Sequence, residues 1–165
     1  MALGAGVVVV LAVAILVHPQ PALLQQGSSA PAVALRDASG TLHRVVGKGM
    51  ARPALIEFLS AGCSTCRASA QQLCDAAGDG GVVVAAVDAG NDTAQTVSSF
   101  AQRYLAPPCS VPLLLDPGLS VSRAYQVGVV PTLYVVDNHG NIAYAGYGAA
   151  GITQAVQALR RLSGD

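Results

Sequence analysis

Charge is scarce in this chain: 11% of its 165 residues are charged, and nine Lys and Arg offset nine Asp and Glu. Apart from Arg160-Arg161 the basic residues stand singly. No stripe is available to neutralise a phosphate backbone, which excludes a nucleic-acid-binding footprint. The Arg pair suits the end of a last helix, where cations complement the dipole. Internal repeats are absent, as is any low-complexity tract beyond the N-terminal leader. With that leader set aside, roughly 130 residues remain, enough for one domain and too few for two.

No charged side chain precedes Arg36, and Leu3 to Val17 contains only Leu, Gly, Ala, Val and Ile. Such a run is a membrane segment or an export signal. As a helix it would rise about 22 Å, near the lower limit for a ~30 Å hydrocarbon core. It lacks the Lys or Arg of a signal n-region, and the small-residue site Ser28-Ser29-Ala30 is followed directly by Pro31. Retention as an anchor is therefore favoured over cleavage. Pro19, Pro21 and the Gln25 to Ser29 stretch argue against the run being a buried element of the domain. The expected organisation is an anchor or uncleaved signal at 1–17, a linker at 18–30 and a single domain at 31–165. The expected location is the cell membrane, with one N-terminal pass and the domain outside the cytoplasm.

Four cysteines are present. Cys63-Ser64-Thr65-Cys66 places two thiols one helical turn apart, immediately after the apolar run Ala54 to Ser60. At a strand-to-helix junction Cys63 sits at a helix N-terminus, where unpaired N–H groups and the dipole favour a negative sulfur. Cys63 is therefore the expected nucleophile and Cys66 its resolving partner. Cys74 and Cys109 are left over, and an even count fits an oxidising compartment. The economical reading is a structural bridge, worth about 3–5 kcal/mol by loop entropy. Unpaired thiols, a thiol relay and a four-thiol metal site are the alternatives. Metal is the weakest, because the second pair lacks zinc-knuckle spacing and no histidine lies near either pair.

Ala32 to Arg36 and Leu42 to Val46 flank a Gly-containing turn and read as a hairpin of two edge strands. Ala54 to Ser60 is a strand, Ser64 to Ala77 a helix and Val82 to Asp88 a buried parallel strand. Asn91-Asp92-Thr93 signals a helix start, with Val97, Phe100, Ala101 and Tyr104 at helical spacing until Pro107-Pro108. Val111 to Leu115 is a short strand and Leu119 to Gln126 a short helix. Thr132 to Val136 and Asn141 to Tyr147 form a hairpin about Asn138-His139-Gly140. Gly151 to Leu162 closes the chain as an amphipathic helix.

The strand ending at Cys63-Ser-Thr-Cys66, the later Val129-Val130-Pro131-Thr132 and the segment Val136 to Ile142 together resemble the thioredoxin superfamily. Within it the chain is most similar to the membrane-anchored TlpA/ResA-like thiol-disulfide oxidoreductases, including the MauD-like group. The leading hairpin, with Leu35 to Gly40, carries that finer resemblance. It spans about Pro31 to Leu162 and implies an α/β thioredoxin fold: a central mixed sheet, helices on both faces and an N-terminal β-hairpin extension.

The resemblance makes Pro131 the cis-proline facing the sulfurs, a conformation that costs an X–Pro bond little. Val130 would then offer its backbone to an extended substrate, and Val129 and Thr132 would either help shape the groove or serve as simple packing positions. Glu57 matches the buried acid behind the second cysteine. Among Leu, Ile and Phe its pKa should rise, and it could accept the Cys66 proton through a water. The alternative for Glu57 is a solvent-facing place on an edge strand. The departures are Gly62 where relatives have Trp, and Ser64-Thr65 without proline or a cation. They leave only the helix terminus to lower the Cys63 pKa and favour the less oxidising end of the family. His43 and His139 fall in a hairpin and a turn and are not expected to be catalytic.

The leading expectation is an envelope enzyme that reduces, or less often oxidises, protein disulfides, of the cytochrome c or cofactor maturation class. No cofactor or metal is expected. The implied partners are protein disulfides or dithiols and a membrane electron donor, and the chain is expected to be a monomer. A peroxiredoxin-like peroxide reductase and a non-enzymatic binding module with a closed disulfide remain as alternatives. Against the first, Ser60 stands where such an enzyme needs Thr, and the upstream Pro is missing.

Overall fold

A strand buried at every position needs neighbours on both edges and cover on both faces, and Ala54–Leu59 has all four. The computed structural model describes residues 22–164. In chain order the elements are β1 (Val33–Asp37), β2 (Leu42–Val46), β3 (Ala54–Leu59), α1 (Ser64–Gly78), β4 (Val83–Asp88), α2 (Ala94–Tyr104), β5 (Leu113–Leu115), α3 (Ser120–Ala124), β6 (Thr132–Val136), β7 (Ile142–Tyr147) and α4 (Gly148–Ser163). The sheet has the order β2-β1-β5-β4-β3-β6-β7. β3, β4 and β5 run parallel, while β6 pairs with β3 and β1 with β5 in the antiparallel sense. This is the expected mixed sheet of a thioredoxin fold.

Alternation along β3 divides the core in two. Leu55 and Leu59 join α1, α2 and α4 on one face, through Leu73, Phe100, Ile152 and Leu159. Ala54, Ile56 and Phe58 face the other side, where Tyr125 at the end of α3, Tyr134 and Val33 pack. Helices thus cover both faces, three on one and the short α3 on the other. Glu57 shares the parity of Leu55 and Leu59, which directs it toward the α1 side.

The structure moves several expected boundaries. Of the leading hairpin only β2 is an edge strand, because β1 also pairs with β5, Arg36 opposite Leu115. Regular pairing in β5 starts at Leu113 rather than Val111, since Pro112 has no N–H to give, although its carbonyl accepts from Ala86 N. The helix expected from Leu119 to Gln126 is shortened to α3. Leu119 and Gln126 both adopt positive φ, and the buried Asp116 carboxylate accepts from Ser122 N at 2.7 Å to start the helix. α4 begins at Gly148, where Gly148 N donates to Pro131 O.

The linker expected at 18–30 is corrected over its described part. Gly27 N donates to Ile142 O, Ile142 N to Ser28 O and Ala30 N to Gly140 O. Leu23 and Leu24 pack on the Phe58–Tyr134 cluster, and Leu24 N donates to the Tyr134 hydroxyl. Residues 22–30 therefore belong to the domain, because their backbone has sheet partners and their leucines have a core to enter. The apolar run Leu3 to Val17 lies outside the described residues, and among those described no helix is long and apolar enough to cross a membrane.

Candidate functional site

The site forms where the parallel strands β3 and β4 end, with Leu59 opposite Asp88. Cys63 N donates to Ser60 O across the turn, and Cys63 itself is the N-cap of α1, with extended backbone at φ −76° and ψ 116°. Its Sγ accepts from Cys66 N at 3.0 Å. One orphan amide of the helix terminus therefore points at this sulfur. Cys63 and Cys66 form a disulfide with a Cα–Cα separation of 5.2 Å. Cys63 is half-buried and Cys66 fully buried, so an incoming sulfur meets Cys63.

Glu57 sits in the middle of β3 between Ala86 and Leu133, and it is fully buried. Its edge-strand alternative is excluded. Loss of solvent raises its pKa from 4.5 to about 7, while a hydrogen bond from Ser69 partly opposes the shift. Ser69 Oγ lies 2.9 Å from Glu57 Oε1 and 2.9 Å from the Cys66 carbonyl oxygen. Glu57 Oε2 has no hydrogen-bond partner among the described residues. Sequence reasoning missed Ser69. The available signal was its position one turn after Cys66 on the same helix face.

A second carboxylate holds the turn before Cys63. Asp92 Oδ2 accepts from Ala61 N at 2.9 Å and from Ser60 Oγ at 3.2 Å. The buried Asp88 accepts from Gly90 N and Asp92 N, and burial raises its pKa, with the neighbouring Asp92 adding to the effect. Gly90 suits this close approach, since a Cβ there would lie 2.6 Å from Ser60 Oγ and 2.7 Å from Asp92 Oδ2, so those side chains would have to shift. The helix-start signal at 91–93 concealed a division of labour: Thr93 caps α2, donated to by Thr96 N, and Asp92 turns back to the Cys63 loop. Ser60, at the place where a peroxiredoxin would need Thr, is committed to Asp92.

The Val130–Pro131 peptide bond is cis, as is Pro107–Pro108. Val130 and Cys63 pack against the same core cluster, and Val129 is 41% exposed. Thr132 is corrected: it is fully buried and donates its hydroxyl to Val129 O at 2.6 Å. It pins the loop rather than presenting a side chain to a groove. His43 pairs with Asp37 on the β1–β2 hairpin, and His139 lies in the β6–β7 turn. Cys74 and Cys109 form the second disulfide, joining the last turns of α1 to the loop after α2.

Residues 25–159 match the Redoxin family. The chain is 31% identical over 99 residues to the product of mercury resistance operon ORF3 of Streptomyces lividans, across 56% of this chain and 51% of that protein. It is 30% identical over 122 residues to the thiol-disulfide oxidoreductase ResA of Geobacillus thermodenitrificans, across 70% of this chain and 66% of that protein. The chain thus spans about half of one relative and just under two thirds of the other. Its fold is also that of the thioredoxin domain of a thiol-disulfide oxidoreductase from Bacteroides vulgatus, with a TM-score of 0.68 and 21% identity over 81% of this chain and 96% of that one.

Proposed function

The chain belongs to the Redoxin family, and from that premise we propose that it is a thiol-disulfide oxidoreductase acting on protein disulfides. The observation that carries the reading is the asymmetry of the Cys63–Cys66 pair: a half-buried sulfur capping a helix and a fully buried one behind it. In the reduced chain the Cys63 thiolate attacks one sulfur of a client disulfide and the other leaves as a thiolate. Cys66 then gives up its proton, with Glu57 as the acceptor. The Cys66 thiolate attacks Cys63 and expels the second client thiolate. Two electrons have passed to the client, and the Cys63–Cys66 bond has re-formed. A dithiol donor must return them before the next turnover.

The finer reading is an envelope reductant of the cytochrome c or cofactor maturation class. It is held to the membrane by the N-terminal apolar run, faces away from the cytoplasm, works as a monomer and is recycled by a membrane electron donor. What supports it is the composition of Leu3 to Val17, the even cysteine count and the absence of a cation or proline between the two cysteines.

Reduction of insulin disulfides by the full chain, supplied with a chemical dithiol, tests the core of the proposal. Turnover is expected in the unaltered protein, none in Cys63→Ser, and an accumulated mixed disulfide in Cys66→Ser. Full activity in Cys63→Ser overturns it. A redox titration of the Cys63/Cys66 couple tests the direction: a value near −270 mV marks a reductant and one near −120 mV an oxidant, on the order of the thioredoxin and DsbA values.

A further inference from the structure

A cleft of about 240 Å³ between α1 and α2 opens beside Ala61, two residues before Cys63, and among the described residues its charged lining groups are Arg67 and Arg103. The exchange steps above make no use of it. Arg67 follows Cys66 directly, and its Nη1 donates to the Ala61 carbonyl at 3.3 Å, which holds the guanidinium against the turn that presents Cys63. Arg103 lies with Cζ 5.7 Å from the centre of the Tyr104 ring, a cation–π arrangement. Neither guanidinium has a carboxylate partner among the described residues, whose ion pairs are His43–Asp37 and Arg160–Asp79.

Phe100 and Tyr104, with ring centres 4.9 Å apart, form an apolar wall of the same cleft. A carboxylate on a short aliphatic stem fits both features. Its oxygens match the planar fork of a guanidinium, and its methylenes can lie on the rings. A neutral amide offers one acceptor and no charge, and a basic side chain is repelled.

We propose that this cleft receives an acidic side chain of the polypeptide client, a Glu or Asp close in sequence to the cysteine that becomes bonded to Cys63. The assignment rests on the exchange reading and narrows its substrate class. Recognition is supplied from the α2 side of the reactive sulfur, so acidic flanks lower KM rather than change the chemical step.

The test uses the full chain, reduced beforehand, and two synthetic peptides with the same intramolecular disulfide flanked by Glu in one and Gln in the other. The Glu peptide is expected to react about five- to tenfold faster in kcat/KM, the scale of a charge-assisted hydrogen bond at a partly exposed place. The difference should reside in KM and fade with added salt. It should drop to near parity in Arg67→Gln and in Arg103→Gln, and persist in Arg123→Gln on α3. Equal reactivity of the two peptides with the unaltered chain, or a preference that survives both cleft substitutions, overturns the assignment. Loss of the preference in Arg123→Gln as well overturns it too, since general charge would then be the cause. Failure to reduce either peptide is a different result and overturns the exchange reading itself. 3,3′-Dithiodipropionate and the neutral 2-hydroxyethyl disulfide serve as small disulfides with and without carboxylates. Discrimination confined to that pair, absent from the peptides, assigns the cleft to a small-molecule carboxylate and overturns the polypeptide assignment.

Discussion

Ser69 stands with its single hydroxyl proton between two acceptors, Glu57 Oε1 and the Cys66 carbonyl, each 2.9 Å away. With Glu57 ionised, the hydroxyl donates to the carboxylate. A proton taken up on Oε1 would compete with that donation, whereas one on the unpartnered Oε2 would leave it in place. One hydroxyl thus joins an acid on β3 to the backbone of the resolving cysteine.

Glu57 titrates at about 7 because burial disfavours its charge. As the acceptor of the Cys66 proton it must be ionised, so release of the mixed disulfide should accelerate as pH rises through about 7. Glu57→Gln should lose that inflection and slow the release step by about 10²- to 10⁴-fold, the range of general-base catalysis. Rapid-mixing kinetics across pH 5 to 9 check it.

The same shift sets the sign of a stability effect. Between pH 4.5 and about 7 the folded chain holds a proton that the unfolded chain has released. Unfolding free energy therefore declines as pH rises across that window, by roughly 3 kcal/mol for one fully shifted carboxyl. Glu57→Gln removes this slope, so its stability relative to the parent should be higher at pH 8 than at pH 5. Denaturant titrations at the two pH values measure it.

Ser69→Ala should move the kinetic inflection to higher pH, because the hydroxyl is the group that lowers the Glu57 pKa against burial. A purely structural role would reduce stability and leave the inflection in place. The pH–rate profile separates the two.

Gly90→Ala should destabilise the fold by about 1–3 kcal/mol, the usual cost of overpacking. Ser60 and Asp92 must move apart to admit the methyl group, which loosens the hydrogen bond to Ala61 N. Exchange should slow in the same variant, as read by thermal unfolding and insulin reduction side by side.

Joint replacement of Cys74 and Cys109 by Ala should lower stability by about 3–4 kcal/mol while peptide disulfide reduction persists. Turnover lost from a protein that is still folded would instead mark the second pair as a relay. Circular dichroism and the reduction assay together decide.

The elements that repeat a local pattern were readable from the chain. β3, α1, β4 and the β6–β7 hairpin fall within a residue or two of expectation, because compact apolar runs, a helix run before Gly78 and a Gly turn are local signals. The pairing of Cys63 with Cys66 could be named from its spacing, whereas a bridge between Cys74 and Cys109 was the economical one of four readings that the sequence leaves open. What could not be read depends on contacts made over long separations. Asp92 looked like part of a cap, yet its acceptor oxygen belongs to a turn 31 residues earlier. The Gln25 to Ser29 stretch had the composition of a linker, but the free edge of β7 gave its backbone partners. Thr132 carried no sign that its hydroxyl would be taken by Val129 O.

The Cys74–Cys109 bond also has a mechanical consequence for recognition. Arg67 and Cys74 ride on the same helix, and Arg103 lies on the helix that leads to Cys109, so the sulfur link fastens the two arms at the end remote from Cys63. Cys74 Sγ also lies 4.0 Å from the Tyr104 carbonyl, so the Arg103–Tyr104 wall of the cleft is moored to α1 by that link.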